Sequence, residues 1–113
     1  MRRGEVLWAA PDPGVGHEQT GRRPVLVVSS NEALEIIPSV VTVVPLTTKE
    51  RPWATRVSVA VDGDQRSLAL PTWAICEQVR TISVERLQGR TGVVDRTTME
   101  GVDQVLRYLL DLP

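Results

Sequence analysis

The sequence predicts a small, mostly antiparallel β domain, a curled sheet or barrel, closed by one C-terminal helix. Three observations carry that expectation. Residues 24–29 (PVLVVS) and 39–46 (SVVTVVPL) are β-branched apolar runs, and each is bounded by polar or Pro-containing segments, as in strands covered on both faces. Residues 5–10 (EVLWAA) and 55–61 (TRVSVAV) instead alternate with a period of two. At the end of the chain the period changes: Met99, Val102, Leu106 and Leu109 recur at three and four, with Val105 and Leu110 widening the stripe.

In chain order, the first strand puts Val6, Trp8 and Ala10 on one face. Residues 11–21 (PDPGVGHEQTG) carry two prolines and three glycines, so they read as a loop, long enough for a compact domain to suggest function. Strands at 24–29 and 39–46 follow. The strand at 55–61 ends on Asp62-Gly63, a hairpin signal from which another strand should return. Residues 70–83 (LPTWAICEQVRTIS) are again β-rich, with Pro71 restricting them to an edge or a strand start. Residues 83–88 suit one helical turn and 89–94 (GRTGVV) a short last strand. Thr97 and Glu100 have capping-box spacing, so the helix is expected to start near Thr97 despite Gly101.

The chain has 113 residues, enough for one domain (1–113) with a single core, and shows neither internal repeats nor low-complexity tracts. With 13 basic and 14 acidic residues the net charge is −1, so any polyanion must be met by a local patch. All the basic residues except Lys49 are arginine, which suits bidentate phosphate contacts but also fits codon bias in a GC-rich genome. Cys76 is the sole cysteine and reads as a small core residue. No run is apolar enough to span a membrane, and VLWAA is too short for a secretory core, so a cytoplasmic protein is expected.

One histidine and one cysteine give no metal-ligand pair at a recognised spacing, so no metal or other cofactor is expected. Nucleotide-binding and nucleophile-elbow motifs are absent. His17 could act as a base, but nothing nearby in the sequence supplies a fixed partner. Polar residues at the ends of apolar runs remain. Arg23 precedes Pro24, which biases it toward extended backbone at a strand entry. Thr47 and Thr48 end a second run, and Glu77, Gln78 and Arg80 interrupt a third. If these ends converge, with loop residues Glu18 and Gln19 beside them, they offer donors for phosphates and base edges. The residues alone equally allow surface charges at strand ends and a turn.

Taken in order along nearly the whole chain, the segments MRRGEVLWA, GHEQTGRRPVLVVS, VVTVVPLTT, ICEQVRTISVERL and GRTGVV, followed by the final helix, resemble the MazF/PemK (Kid) family of toxin endoribonucleases. The resemblance implies an SH3-like barrel and a homodimer. It implies metal-independent cleavage of single-stranded RNA at short motifs, leaving 2',3'-cyclic phosphate and 5'-hydroxyl ends. It further implies a cognate antitoxin whose acidic, flexible tail covers the substrate groove. Residue by residue, Arg23 and Thr47 would carry catalysis with Glu18 as the candidate base. His17, Gln19, Arg22, Thr48, Gln78 and Arg80 would meet RNA, and the loop holding HEQTG would be a mobile gate. An alternative in the same fold group is a CcdB-like gyrase poison that binds without cutting. Such poisons place a tryptophan near their terminus, whereas this chain ends Leu110-Asp111-Leu112-Pro113.

Overall fold

A computed structural model describes residues 1–10, 22–62 and 70–113. Among them, eight strands and two α-helices follow in the order β1 (Glu5–Ala9), β2 (Arg23–Val27), α1 (Asn31–Ile36), β3 (Val40–Thr47), β4 (Arg56–Ser58), β5 (Val61–Asp62), β6 (Trp73–Ile75), β7 (Arg80–Ser83), β8 (Leu87–Val94) and α2 (Arg96–Leu110). The hydrogen-bonded order is β4-β6-β3-β2-β1-β8-β5, with β7 also on β3, and all of these neighbours are antiparallel. This is the expected mainly β fold with a C-terminal helix. The path is not closed into a ring, but β3 bends it: its first half pairs with β7 and its last two residues with β6. The changeover falls at Pro45, which has no N–H to donate to a neighbouring strand.

Both faces of the central strands are covered, as the unbroken apolar runs require. Val25, Leu26 and Val27 are consecutive and all buried. On one face Val6, Leu26, Val44 and Leu46 pack with Val102 of α2, and Met99, Leu106 and Leu109 extend the contact. On the other, Ala9, Val25, Val27, Val41, Val43 and Ile82 form a second cluster, flanked by Leu7, Leu34, Val84 and Leu87. Each fully buried Val or Leu contributes about 1.5–3 kcal/mol, so these two layers hold the sheet between them. Trp8 and Trp73 are half-buried.

Several boundaries differ from expectation for physical reasons. The alternating run at 55–61 is split, because Val59 N–H donates to Thr72 O and Ala60 N–H to Thr98 Oγ1, which turns the chain from β6 toward α2. The strand expected after Gly63 lies outside the described residues. A 3₁₀ turn, Cys76–Gln78, interrupts the β-rich stretch, and a second one, Val84–Arg86, shortens the expected helical turn so that β8 begins at Leu87. Gly92 is required where β8 meets β5, since a Cβ there would come within 2.4 Å of a Val61 methyl. Helix α2 is capped by Asp95, which accepts from Thr98 N–H at 2.8 Å, rather than by Thr97. No helix among the described residues is long and apolar enough to cross a membrane.

Candidate functional site

Arg23 is the first residue of β2, exposed and paired with Ala9 of β1. Pro24 behind it keeps its backbone extended, and the buried Val25–Val27 segment anchors the strand. The β2–β3 register runs Val27↔Val43, Leu26↔Val44, Val25↔Pro45. The strands are antiparallel, so the start of β2 at Arg23 and the end of β3 at Thr47 lie at the same end of the pair, beyond its last paired residues, Val25 and Pro45. By the alternation of side chains along each strand, both residues fall on one face. That face is the one of Val25, Val27, Val41 and Val43, turned away from α2.

Thr47 Oγ1 accepts a hydrogen bond from Lys49 N–H at 3.1 Å. The turn after β3 therefore orients the hydroxyl while leaving its own hydrogen to donate outward. Arg80 pairs with Val43 and so lies on the same face, four residues back along β3, or about 13 Å. Thr48 and Gln78 are exposed, the first directly after β3 and the second closing the 3₁₀ turn before β7. Arg22 is different. Its guanidinium lies 5.1 Å from the centroid of the Trp8 ring. Trp8 is on the opposite face, next to Pro24, so the two adjacent arginines part to opposite sides of the sheet. His17, Glu18 and Gln19 lie outside the described residues.

Two arginines that sequence reasoning passed over build the surroundings. Arg56 Nε donates to Glu77 Oε2 at 3.0 Å, its Nη1 to Lys49 O at 3.3 Å, and its guanidinium lies 4.9 Å from the Trp53 ring centroid. It thus ties the turn after Thr47 to the turn before Arg80. Burial pushes the Glu77 carboxyl up, but its own backbone amide, the Thr55 hydroxyl and Arg56 outweigh burial and hold it below the usual carboxylate range. Arg86 grips the other side of the site, donating from Nε and Nη2 to Ala10 O at 3.2 and 2.9 Å, while Ala10 N–H donates back to Arg86 O at 2.8 Å. Neither arginine carries a local sequence signal, because Glu77 and Ala10 are distant in the chain. Cys76 is buried as expected; burial and then the Glu77 charge push its thiol up to about 11, so it is no nucleophile at neutral pH.

On the α2 side, a groove of about 380 Å³ is lined by residues including Arg3, Val28, Asp103, Leu106 and Leu110. It is on the face opposite Arg23 and Thr47 and does not contain them. What the Arg23 face offers is an exposed guanidinium at the start of β2, a hydroxyl donor at the end of β3, and a second guanidinium on the neighbouring β7. That set suits a phosphodiester backbone.

Known proteins share this sequence and fold along nearly the whole chain. Endoribonuclease MazF9 of Mycobacterium tuberculosis is 34% identical over 119 aligned residues, covering 99% of this chain and 98% of that protein. Endoribonuclease EndoA of Bacillus subtilis is 30% identical over 112 residues, covering 99% and 96%. A mycobacterial endoribonuclease solved in complex with its cognate antitoxin superimposes with a TM-score of 0.77 at 27% identity, covering 100% of this chain and 97% of that one. Residues 2–110 match the family described as PemK-like, MazF-like toxins of type II toxin-antitoxin systems, and this chain belongs to that family.

Proposed function

We propose that the chain is a metal-independent endoribonuclease that cleaves single-stranded RNA by transesterification within the RNA itself. The 2'-oxygen attacks the adjacent phosphorus as its proton passes to a base, for which Glu18 is the candidate. The P–O5' bond breaks, the 5'-oxygen takes up a proton, and 2',3'-cyclic phosphate and 5'-hydroxyl ends result. Charge accumulates on the non-bridging oxygens in the transition state. Arg23 opposes it with the cationic fork of its guanidinium, and Thr47 adds a hydroxyl donor. The observation that supports the reading is the antiparallel pairing of β2 with β3, in which β2 begins at Arg23 and β3 ends at Thr47 at one end of the sheet. Arg80, Thr48 and Gln78 would track the RNA on either side, with His17 and Gln19 meeting it from the 11–21 segment and Arg22 from the opposite face. The protein would act in the cytoplasm as a homodimer of this single domain, silenced by a cognate antitoxin.

The test is cleavage of a long single-stranded RNA by purified protein in EDTA, with cut sites mapped and end groups identified. Arg23→Ala and Thr47→Ala should each lower the rate about 10²- to 10³-fold, as loss of one preorganised donor typically does. Cleavage that needs added metal, or undiminished cutting by both variants, refutes the mechanism. No cutting together with gyrase inhibition would favour the binding-only alternative.

A further inference from the structure

We infer that Trp53 is a base-stacking platform beside the scissile phosphate, held in place by Arg56, and that it selects for an unstacked nucleobase at one position flanking the cut. The inference rests on the reading of Thr47 as a catalytic residue. Trp53 is 53% exposed, an unusual state for the largest apolar side chain. It is not loose: Arg56 N–H donates to Trp53 O at 3.0 Å, a four-residue turn that brings indole and guanidinium side by side. One face of the ring is thereby taken by the cation.

Arg56 is itself fixed. Its side chain is only 9% exposed and is shared between the Glu77 carboxylate and the Lys49 carbonyl. Lys49 is the residue whose N–H orients Thr47 Oγ1. An unbroken chain of contacts therefore runs from the hydroxyl that would touch the phosphate, through Lys49 and Arg56, to the indole. Arg56 also reaches Glu77, the neighbour of Gln78. A rigid aromatic face near a phosphate site, backed by a cation, suits a splayed nucleobase, because every base has a π-face and RNA is read at unstacked bases. A peptide strand or a second copy of the chain would find no comparable use for the coupling between this ring and Thr47.

The experiment measures kcat and KM on an oligoribonucleotide containing the mapped cut site, and on versions abasic at each flanking nucleotide in turn. Trp53→Ala should lower kcat/KM about 5- to 150-fold on the intact RNA, chiefly through KM, while Trp53→Phe retains most of the activity. On the RNA abasic at the stacked position, wild type and Trp53→Ala should become equal. Unchanged kcat/KM for Trp53→Ala overturns the inference, as does a loss of the same size on every abasic RNA. Loss of antitoxin binding with cleavage intact overturns it too, making the ring a protein-binding surface. Arg23→Ala and Thr47→Ala are run in parallel. If they cut normally while Trp53→Ala does not, the catalytic reading of Thr47 fails and the ring's place beside the scissile phosphate fails with it; the reverse pattern removes the stacking site alone.

Discussion

Glu77 shows how one side chain can organise its surroundings through another. Its carboxylate neutralises Arg56, and that pair holds together the turns carrying Thr47 and Gln78. Because the folded-state pKa lies below the ordinary value, the pair's stabilisation is fully present above the unfolded pKa of about 4.3 and is lost as pH falls through the folded pKa. Glu77→Gln should cost about 1–3 kcal/mol at neutral pH, since a charge-assisted hydrogen bond to Arg56 is weakened. The gap to wild type should narrow as pH drops from 5 toward 3, in urea midpoints taken at each pH; a gap that stays constant would mean that ionised Glu77 contributes nothing. Arg23 and Thr47 could be picked out from the sequence because each stands where an apolar run begins or ends. Arg56 and Glu77 could not, since the pair is set by a fold that brings together positions 21 residues apart.

Elements were legible in proportion to their length and periodicity. The 15-residue α2 declared itself through its apolar stripe, whereas the six-residue α1 is too short for a period of 3.6 to emerge and buries none of its residues. What defines α1 is its cap: Ser30 Oγ accepts from Ala33 N–H at 3.0 Å. At the start of α2, the Thr97–Glu100 spacing imitates a capping box, yet Asp95 holds the cap. Thr98, the third helical residue, is drawn inward, where its hydroxyl accepts the Ala60 N–H at 3.0 Å and joins the helix to the chain between β4 and β5. That buried bond fixes the helix register, and with it which residue can cap. Asp95→Ala should therefore lower the unfolding midpoint measurably, while Thr97→Ala, at an exposed position, should leave it close to wild type. Thermal or urea unfolding of the two variants distinguishes the caps, and a larger loss for Thr97→Ala would contradict the observed one.

Across the whole molecule, 13 basic residues against 14 acidic ones leave no general attraction for RNA, so affinity must come from where a few guanidinium groups point. Composition could not reveal this, because a count of arginines does not separate those held in surface ion pairs from those that face outward unpaired. Arg96 with Glu100 and Arg90 with Glu5 are such pairs here. The register of β3 separates out Arg80, which faces the same side as Thr47 through its pairing with Val43. If that face follows the RNA backbone, each phosphate neutralised contributes a slope of about −0.7 to the dependence of log affinity on log salt. Arg80→Ala should then make the slope shallower by about 0.7, with a loss of affinity that is uniform across RNA sequences. Arg107→Ala is the control, since Arg107 is exposed on α2 and lines the groove on the opposite face. Binding of a catalytically silenced Arg23→Ala background to single-stranded RNA, titrated from low to moderate salt, gives both slopes. If Arg80→Ala keeps the parental slope while Arg107→Ala flattens it, the RNA follows the helix side of the sheet, and the catalytic pairing of Arg23 with Thr47 loses its substrate track.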